Sequence, residues 1–188
     1  ENVSQTKTND ASGVVVFDEI SYTTKDIGKT YTYTISEVND GKDGYSYDEA
    51  VKTVTVSITD NGNGKLIVTP VYDGDAEKKS ASFVNTYEAK GSVTLSAVKT
   101  LTGRTLEAEQ FGFELKDASG NVLQTAKNAA DGTVSFETIS YTENDLKNSP
   151  FIYTVNEVVE TKEGYTYDAT QYQVSVALVD NGDGTITA

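Results

Sequence analysis

Apolar and other residues alternate along several stretches of the chain, which is the pattern of β-strands that bury one face. Residues 92–101 show it most clearly, and their in-phase positions are Val93, Leu95, Ala97, Lys99 and Leu101. Three more stretches alternate in the same way, with in-phase positions Phe151, Tyr153, Val155, Glu157 and Val159, then Tyr31, Tyr33, Ile35 and Glu37, and then Ala81, Phe83, Asn85 and Tyr87. The pattern predicts four strands that each turn one face to a core.

Four polar residues occupy positions on these inward faces: Lys99, Glu157, Glu37 and Asn85. A buried Lys or Glu is strongly destabilising unless it is paired or neutralised, so such residues are rarely placed in a core. Their placement makes them the candidate functional residues of the chain. A simpler interpretation remains open, in which Lys99 extends its charge to solvent and the two Glu residues protect strand edges.

The composition favours an all-β fold. The chain has 12 Tyr, 15 Gly and only 2 Pro, with many Thr and Val, and these residues are typical of strands joined by tight turns. No segment has helical periodicity for more than a turn or two. The best helical candidates are residues 106–110 and 142–147, both of which we expect to be short connections.

The sequence repeats itself at an offset of 119 to 120 residues. GVVVFDEISYT from Gly13 matches GTVSFETISYT from Gly132, and YTISEV from Tyr33 matches YTVNEV from Tyr153. Turn signals divide each copy into about seven or eight short strands, as in antiparallel sandwiches. We therefore predict two tandem immunoglobulin-like β-sandwich repeats, residues 1–88 and 89–188, with a linker at residues 88–91.

The repeats are expected to be out of phase with the ends of the chain. At the same offset, the counterpart of Asn85 falls at position 205 and that of Lys99 at position −21, both outside the 188 residues. The first repeat is thus expected to lack its N-terminal strands and the second its C-terminal strand. Because the chain contains no Met, we expect it to be a processed or excised fragment.

An acidic, glycine-rich sequence recurs in both repeats, as DNGNG at residues 60–64 and DNGDG at residues 180–184. Asn-Gly between two alternating stretches predicts a β-hairpin, because glycine readily adopts positive φ. The acidic spacing also resembles a calcium loop, but the distal Glu of an EF-hand is missing. We predict hairpin turns and no metal site.

Composition and charge exclude several functions. A formal net charge of −14 opposes binding to nucleic acid or to anionic membranes. The absence of Cys and His removes thiol chemistry, disulfides, the commonest general base and the commonest metal ligand. No apolar run approaches the roughly 20 residues of a membrane span. A turnover enzyme is therefore disfavoured, and we expect no cofactor.

Lys, Glu and Asn side chains buried together can react with each other. Burial favours the neutral form of an ionisable group, and a neutral amine is a nucleophile. A nearby Glu can transfer protons between the amine, the amide oxygen and departing ammonia. The product is an isopeptide bond, formed once per site and without a cofactor.

Three segments resemble the isopeptide-linked (CnaB-like) repeats of Gram-positive pilins and sortase-anchored surface adhesins. They are VTLSAVKTLTGRTLEAEQFGFEL from Val93, YTVNEVVETKEGYTYD from Tyr153 and ASFVNTY from Ala81. The resemblance spans essentially the whole chain. It implies an immunoglobulin-like sandwich in which a Lys of the first strand is joined to an Asn of the last strand.

The resemblance also implies roles for the four candidate residues. Lys99 corresponds to the crosslinked Lys, Asn85 to the crosslinked Asn, and Glu157 and Glu37 to the promoting Glu of each repeat. The implied function is a stalk on the bacterial cell wall, with neighbouring repeats or pilin subunits of the same fibre as partners. A host ligand would be bound by a tip domain outside this chain.

The alternative is a ligand-binding adhesin module that recognises a host protein or glycan. The pairs Tyr45/Tyr47 and Tyr165/Tyr167 would then form a carbohydrate platform, although tyrosines at alternate strand positions are more often part of sheet packing. Two similar repeats without a long inserted loop favour the stalk, since binding sites usually need elaborated loops.

Overall fold

The computed structural model describes residues 3–188, and within them nearly all regular structure is β-strand. The all-β prediction is confirmed. The strands are β1 (Thr30–Ile35), β2 (Tyr45–Ser46), β3 (Lys52–Asp60), β4 (Leu66–Tyr72), β5 (Thr86–Tyr87), β6 (Lys90–Val93), β7 (Ser96–Val98), β8 (Gly112–Lys116), β9 (Val122–Lys127), β10 (Thr133–Ser135), β11 (Ile139–Thr142), β12 (Phe151–Glu157), β13 (Gln171–Val176), β14 (Val179–Asp180) and β15 (Ile186–Thr187). Short 3-10 helices occupy Thr24–Asp26 and Glu143–Asn148.

Tertiary contacts divide the chain into two compact units. Unit 1 comprises the chain up to Val38 together with Asp48–Val84, and unit 2 comprises Asn39–Tyr47 together with Asn85–Ala188. Both units are discontinuous in sequence. The segment Asn39–Tyr47 belongs by sequence to the first repeat, but its contacts place it in unit 2.

Unit 1 contains an antiparallel sheet in the order β1-β3-β4. Its buried centre is Val54, Val56 and Ile58 of β3, and the inward residues of β1 predicted from the alternation pack against them. Strands β3 and β4 form a hairpin that pairs Asp60 with Leu66. The predicted hairpin turn at residues 60–64 is thus confirmed, and Gly62 supplies the positive φ, 76°.

Unit 2 contains an antiparallel sheet in the order β13-β12-β8-β9 and the paired strands β6–β11 and β7–β10. Buried residues from both groups form one hydrophobic cluster, which contains Ala89, Phe111, Phe113, Leu115, Val134, Phe136, Tyr141, Tyr153, Val155, Val176, Leu178 and Ile186. Strands β14 and β15 pair across residues 180–184, so the second predicted hairpin is confirmed as well.

The predicted strand at residues 92–101 is divided between β6 and β7. β6 pairs with β11 and β7 pairs with β10, and the alternation of inward and outward side chains continues through both. The predicted linker at residues 88–91 is part of unit 2, since Ala89 is fully buried and Lys90 begins β6. Gly91 is needed there because a Cβ atom would lie 2.2 Å from the Ile186 carbonyl oxygen.

Some sequence-based expectations were wrong. Strand β12 ends at Glu157, so Val159 is exposed. Asn85 precedes β5 and is also exposed, in contrast to the inward position that the alternation predicts. Residues 106–110 form no helix, because Glu109 has a φ of 61°, which is incompatible with helical geometry. The second candidate, residues 142–147, overlaps the observed 3-10 helix Glu143–Asn148.

Candidate functional site

Lys99 and Glu157 form a buried ion pair in unit 2. Lys99 directly follows β7 and Glu157 ends β12, so the two residues approach from the two groups of strands that enclose the core. The Lys99 Nζ lies 2.7 Å from Glu157 Oε1 and donates a hydrogen bond of 2.8 Å to Oε2. The side chains are only 11% and 3% exposed. Both residues thus occupy the inward positions expected from the alternation.

Aromatic side chains pack around this pair. The Lys99 Nζ lies 4.3 Å from the centroid of the Phe111 ring, and Phe111 is itself buried. Tyr165 and Tyr167 meet the same ring edge-on, at centroid distances of 5.9 and 5.7 Å. These tyrosines therefore pack around the site. Such surroundings hold little water, which strengthens electrostatic interactions and disfavours isolated charge.

The Glu157 carboxylate has a second hydrogen-bond donor. The backbone N–H of Asp168 donates to Oε2 at 3.0 Å, from the segment that follows Tyr167. This bond and the hydrogen bond from Lys99 reach the same oxygen and together orient the carboxylate. A carboxylate held in this way can accept a proton from an ammonium group and return it to another group without changing position.

Asn128 is a supporting residue that the sequence analysis missed. It is 1% exposed and makes three hydrogen bonds: it accepts one from Phe111 N–H at 2.8 Å and donates to the carbonyls of Glu107 and Ala129 at 2.8 and 2.9 Å. These bonds hold Phe111 against Lys99. The sequence contains an indication of its burial, because Asn128 continues the inward alternation of half-buried Gln124 and Ala126 in β9.

A second cluster of Lys, Glu and Asn lies on the sheet that contains Glu157. Lys116 Nζ contacts Glu114 Oε2 at 2.8 Å, and Asn156 Nδ2 donates to the same oxygen at 3.4 Å. The Lys116 and Glu114 side chains are 24% and 26% exposed. Lys116 and Asn156 together hold the pKa of Glu114 below its usual range. This Glu is therefore stabilised as a charged carboxylate, which makes it a poor proton donor.

The other two candidate residues adjoin other strands. Glu37 follows β1 in unit 1, in phase with Tyr31, Tyr33 and Ile35, and is half-buried. Asn85 precedes β5, which pairs with β2, whereas Lys99 follows β7, which pairs with β10. The structure thus brings Lys99 and Glu157 together, whereas Asn85 lies next to a different pair of strands.

One edge of β7, the strand that Lys99 follows, is without a paired strand in the described part of the chain. Among residues 3–188, β7 forms a ladder only with β10, so its other edge carries no ladder.

An all-β chain of two related sandwich repeats, with a buried Lys–Glu pair at the ends of β7 and β12, has the features of a structural repeat of the isopeptide type. A family model described as FctA, a Spy0128-like isopeptide-containing domain, matches residues 1–88 and 95–188. The chain therefore belongs to the FctA family, whose members are pilin domains with isopeptide bonds. A search of curated proteins found no match.

Within the described residues, no helix has the length and apolar character needed to cross a membrane. The same part of the chain contains no group of three or more Asp and Glu side chains arranged to hold a metal ion. The acidic residues of the two hairpin turns instead accept hydrogen bonds from the backbone. Gly62 N–H and Gly182 N–H donate to Asp60 and Asp180, respectively, both at 2.9 Å.

Proposed function

We propose that this chain is part of the stalk of a pilin or adhesin on the surface of a Gram-positive bacterium. Each repeat is made inextensible by an isopeptide bond between a first-strand Lys and a last-strand Asn. The observation that carries the proposal is the buried contact of Lys99 with Glu157, at 2.7 to 2.8 Å, beside Phe111. We assign residues 1–88 to one repeat and 89–188 to the next.

The proposed reaction needs only these side chains. The Lys99 ammonium transfers a proton to Glu157, and the resulting amine attacks the Cγ atom of the Asn carboxamide. The new C–N bond forms as the bond from Cγ to Nδ2 breaks, and ammonia leaves with a proton relayed by Glu157. Because both reactants are held in one fold, proximity can lower the barrier by about 7–11 kcal/mol.

Each Lys is proposed to react with the Asn of its own repeat. For Lys99 this is the residue equivalent to Asn85, which the repeat offset places at position 205. Asn85 would react with a Lys that precedes this chain, promoted by Glu37. We expect no bond between Lys99 and Asn85 of one chain, because they belong to different repeats and adjoin different pairs of strands.

The proposed role follows from where the bond lies. A bond between the first and last strands closes almost the whole repeat into a loop, so tension passes through the bond. Such repeats would separate an adhesive tip from the cell wall, and neighbouring repeats or pilin subunits of the same fibre would be their partners. The bond would also hinder proteolysis, since a crosslinked repeat cannot open fully.

The test is the intact mass of a chain extended past position 205 with the residues of its parent protein. We expect a mass one ammonia below the sequence mass, and a Lys99–Asn crosslinked peptide after digestion. Glu157→Ala should restore the full mass while the fold remains.

Glu114→Ala is the matched control, because Glu114 also contacts a Lys at 2.8 Å but is partly exposed. This variant should lose ammonia like the unaltered protein. The proposal is wrong if the extended protein keeps its full mass while the Lys99 side chain is protected from amine-reactive reagents.

A further inference from the structure

The C-terminal end of the first repeat is built into unit 2. Strand β2 pairs with β5, and the rings of Tyr45 and Tyr87 lie 4.8 Å apart. Glu88 N–H donates to the Gly44 carbonyl at 2.9 Å. Residues 42–45, at the start of β2, and Tyr87 of β5 thus form one surface. We call this surface, including Tyr87, the docking loop.

The docking loop lies directly on the hairpin turn at residues 180–184. The Tyr87 hydroxyl donates to Asp180 Oδ1 at 2.7 Å and accepts from Gly184 N–H at 3.3 Å. Lys90 N–H donates to the Gly184 carbonyl at 3.1 Å. All these residues belong to unit 2.

Two glycines allow the backbones to meet at this point. A Cβ atom on Gly44 would lie 2.6 Å from Tyr87 Cε2 and 2.7 Å from Gly184 Cα, and a Cβ atom on Gly184 would lie 2.7 Å from Gly44 Cα. Real Cβ atoms do not approach other heavy atoms so closely, so neither position accepts a side chain without movement. The contact is therefore a close fit of two backbones, with Tyr87 hydrogen-bonded beside it.

The sequence repeat supplies the same two surfaces without a partner. Gly164 is the counterpart of Gly44, and Gly64 is the counterpart of Gly184. Their φ angles are 82° and 71°, against 83° and 79° for the contacting pair, yet a Cβ atom on Gly164 or Gly64 would meet nothing within 4 Å.

The loop conformation is also the same in both copies. Tyr45 N–H donates to the Lys42 carbonyl and Tyr165 N–H donates to the Lys162 carbonyl, each at 3.2 Å. The lysine ammonium lies over the tyrosine ring in both loops, at 5.1 and 4.9 Å. The loop therefore has its docking shape with or without a turn against it, and binding requires no rearrangement.

We propose that this contact is a joint between successive repeats, in which the docking loop of one repeat binds the Asp-Asn-Gly turn of the next. Gly44, Tyr87 and Gly184 determine it in this chain. The loop at residues 162–165 offers the corresponding glycine and lysine–tyrosine face to the Asp-Asn-Gly turn of a further repeat, and the counterpart of Tyr87 falls at position 207. The inference deepens the proposed stalk role, but it does not depend on the isopeptide bond.

The first experiment compares Gly44→Ala with Gly164→Ala in the full chain. Both variants place alanine at the same positive φ, so both carry the same local strain. Only the alanine at position 44 meets other atoms, namely the Tyr87 ring at 2.6 Å and the opposing Gly184 backbone at 2.7 Å. Gly184→Ala separates these two contacts, because its Cβ atom comes within 3 Å of the Gly44 backbone alone. We expect the melting transition of unit 2 to fall by at least about 5 °C more in Gly44→Ala. Hydrogen exchange at the Lys90 and Gly184 amides should become at least about tenfold faster in that variant alone.

The second comparison reverses the roles of the two surfaces. Gly184→Ala should reproduce the effects of Gly44→Ala, whereas Gly64→Ala should leave exchange at the Lys90 amide unchanged. Tyr87→Phe is a milder variant that keeps the ring, and it should speed exchange at the Gly184 amide by about tenfold. Equal effects of Gly44→Ala and Gly164→Ala, or unchanged exchange in Tyr87→Phe, would overturn the joint.

The outcome is separable from that of the crosslink test. Loss of ammonia from the extended chain depends on Glu157, and the joint variants should leave it intact. If the joint fails, exchange rates are unchanged while the mass deficit persists. If the crosslink fails, the full mass is found while the glycine variants still differ.

Discussion

Burial distinguishes the two Lys–Glu pairs of unit 2, whose N–O distances are nearly equal. Lys99 and Glu157 are 2.7 Å apart with 11% and 3% of their side chains exposed, whereas Lys116 and Glu114 are 2.8 Å apart with 24% and 26% exposed. Water screens the second pair and allows each of its charges to exist alone. In the buried pair, either charge left alone would be poorly solvated, so each residue depends on its partner.

This difference predicts unequal effects on stability in the 188-residue chain. Lys99→Met should lower the free energy of unfolding of unit 2 by about 3–5 kcal/mol, because the Glu157 carboxylate remains buried without its cation. Lys116→Met should cost no more than about 1 kcal/mol. Urea denaturation of both variants measures the difference.

A double variant serves as the control for the buried pair. Adding Glu157→Gln to Lys99→Met removes the uncompensated charge and should recover most of the lost stability. Equal losses for Lys99→Met and Lys116→Met would mean that the Lys99 site is solvated, and the environment required for crosslinking would then be absent.

Among the elements of unit 2, strands β11 and β12 are joined by a buried pair of tyrosines. The hydroxyls of Tyr141 and Tyr153 are 2.8 Å apart, and the residues are 3% and 6% exposed. Unit 1 repeats this arrangement with Tyr22 and Tyr33, whose hydroxyls are 2.9 Å apart. The pair therefore connects equivalent segments in both repeats.

The pair should make unit 2 sensitive to high pH. Burial, followed by the hydrogen bond with Tyr153, raises the pKa of Tyr141 well above its usual value of 10.0. The unfolded chain then loses this proton at a lower pH than the folded chain. The contribution of the Tyr141 hydroxyl to the free energy of unfolding of unit 2 is fully present below about pH 10. Above that pH it should decline by up to about 1.4 kcal/mol per pH unit.

Tyr141→Phe tests this expectation. It removes one titrating hydroxyl, so the dependence of the unfolding free energy of unit 2 on pH should become shallower above about pH 10. Chemical denaturation across that range provides the measurement. A slope that does not change in the variant would show that the Tyr141 phenol ionises alike in the folded and unfolded chains.

At the scale of the whole molecule, two related repeats follow each other along one chain, and the FctA family match covers both of them. A stalk built in this way transmits tension from repeat to repeat. Without a crosslink, the hydrogen bonds between strands would carry that tension. With the proposed bond between first and last strands, a covalent linkage carries it.

Pulling experiments on the extended protein should show this difference directly. A complete, crosslinked repeat should show no unfolding extension at forces that open ordinary sandwiches. The Glu157→Ala repeat should lengthen by roughly 3.3 Å for each residue released. If both proteins lengthen equally, the bond carries no load and the proposed stalk mechanism is wrong.

Side-chain alternation and repetition are local properties of the chain, and the sequence by itself determined what depends on them. The all-β class and the inward positions of Lys99 and Glu157 follow from alternation. The two hairpins follow from Asn-Gly between alternating stretches. Each of these features requires only that successive residues of a strand point to opposite faces, or that Gly adopts positive φ.

Only the tertiary structure decided which distant segments meet. It placed Phe111 and its support Asn128 beside Lys99, moved Asn39–Tyr47 into unit 2, and left Asn85 exposed. Periodicity states which face of a strand is buried but not which strand will cover it. Such contacts join residues far apart in the chain, and the packing of whole elements selects them.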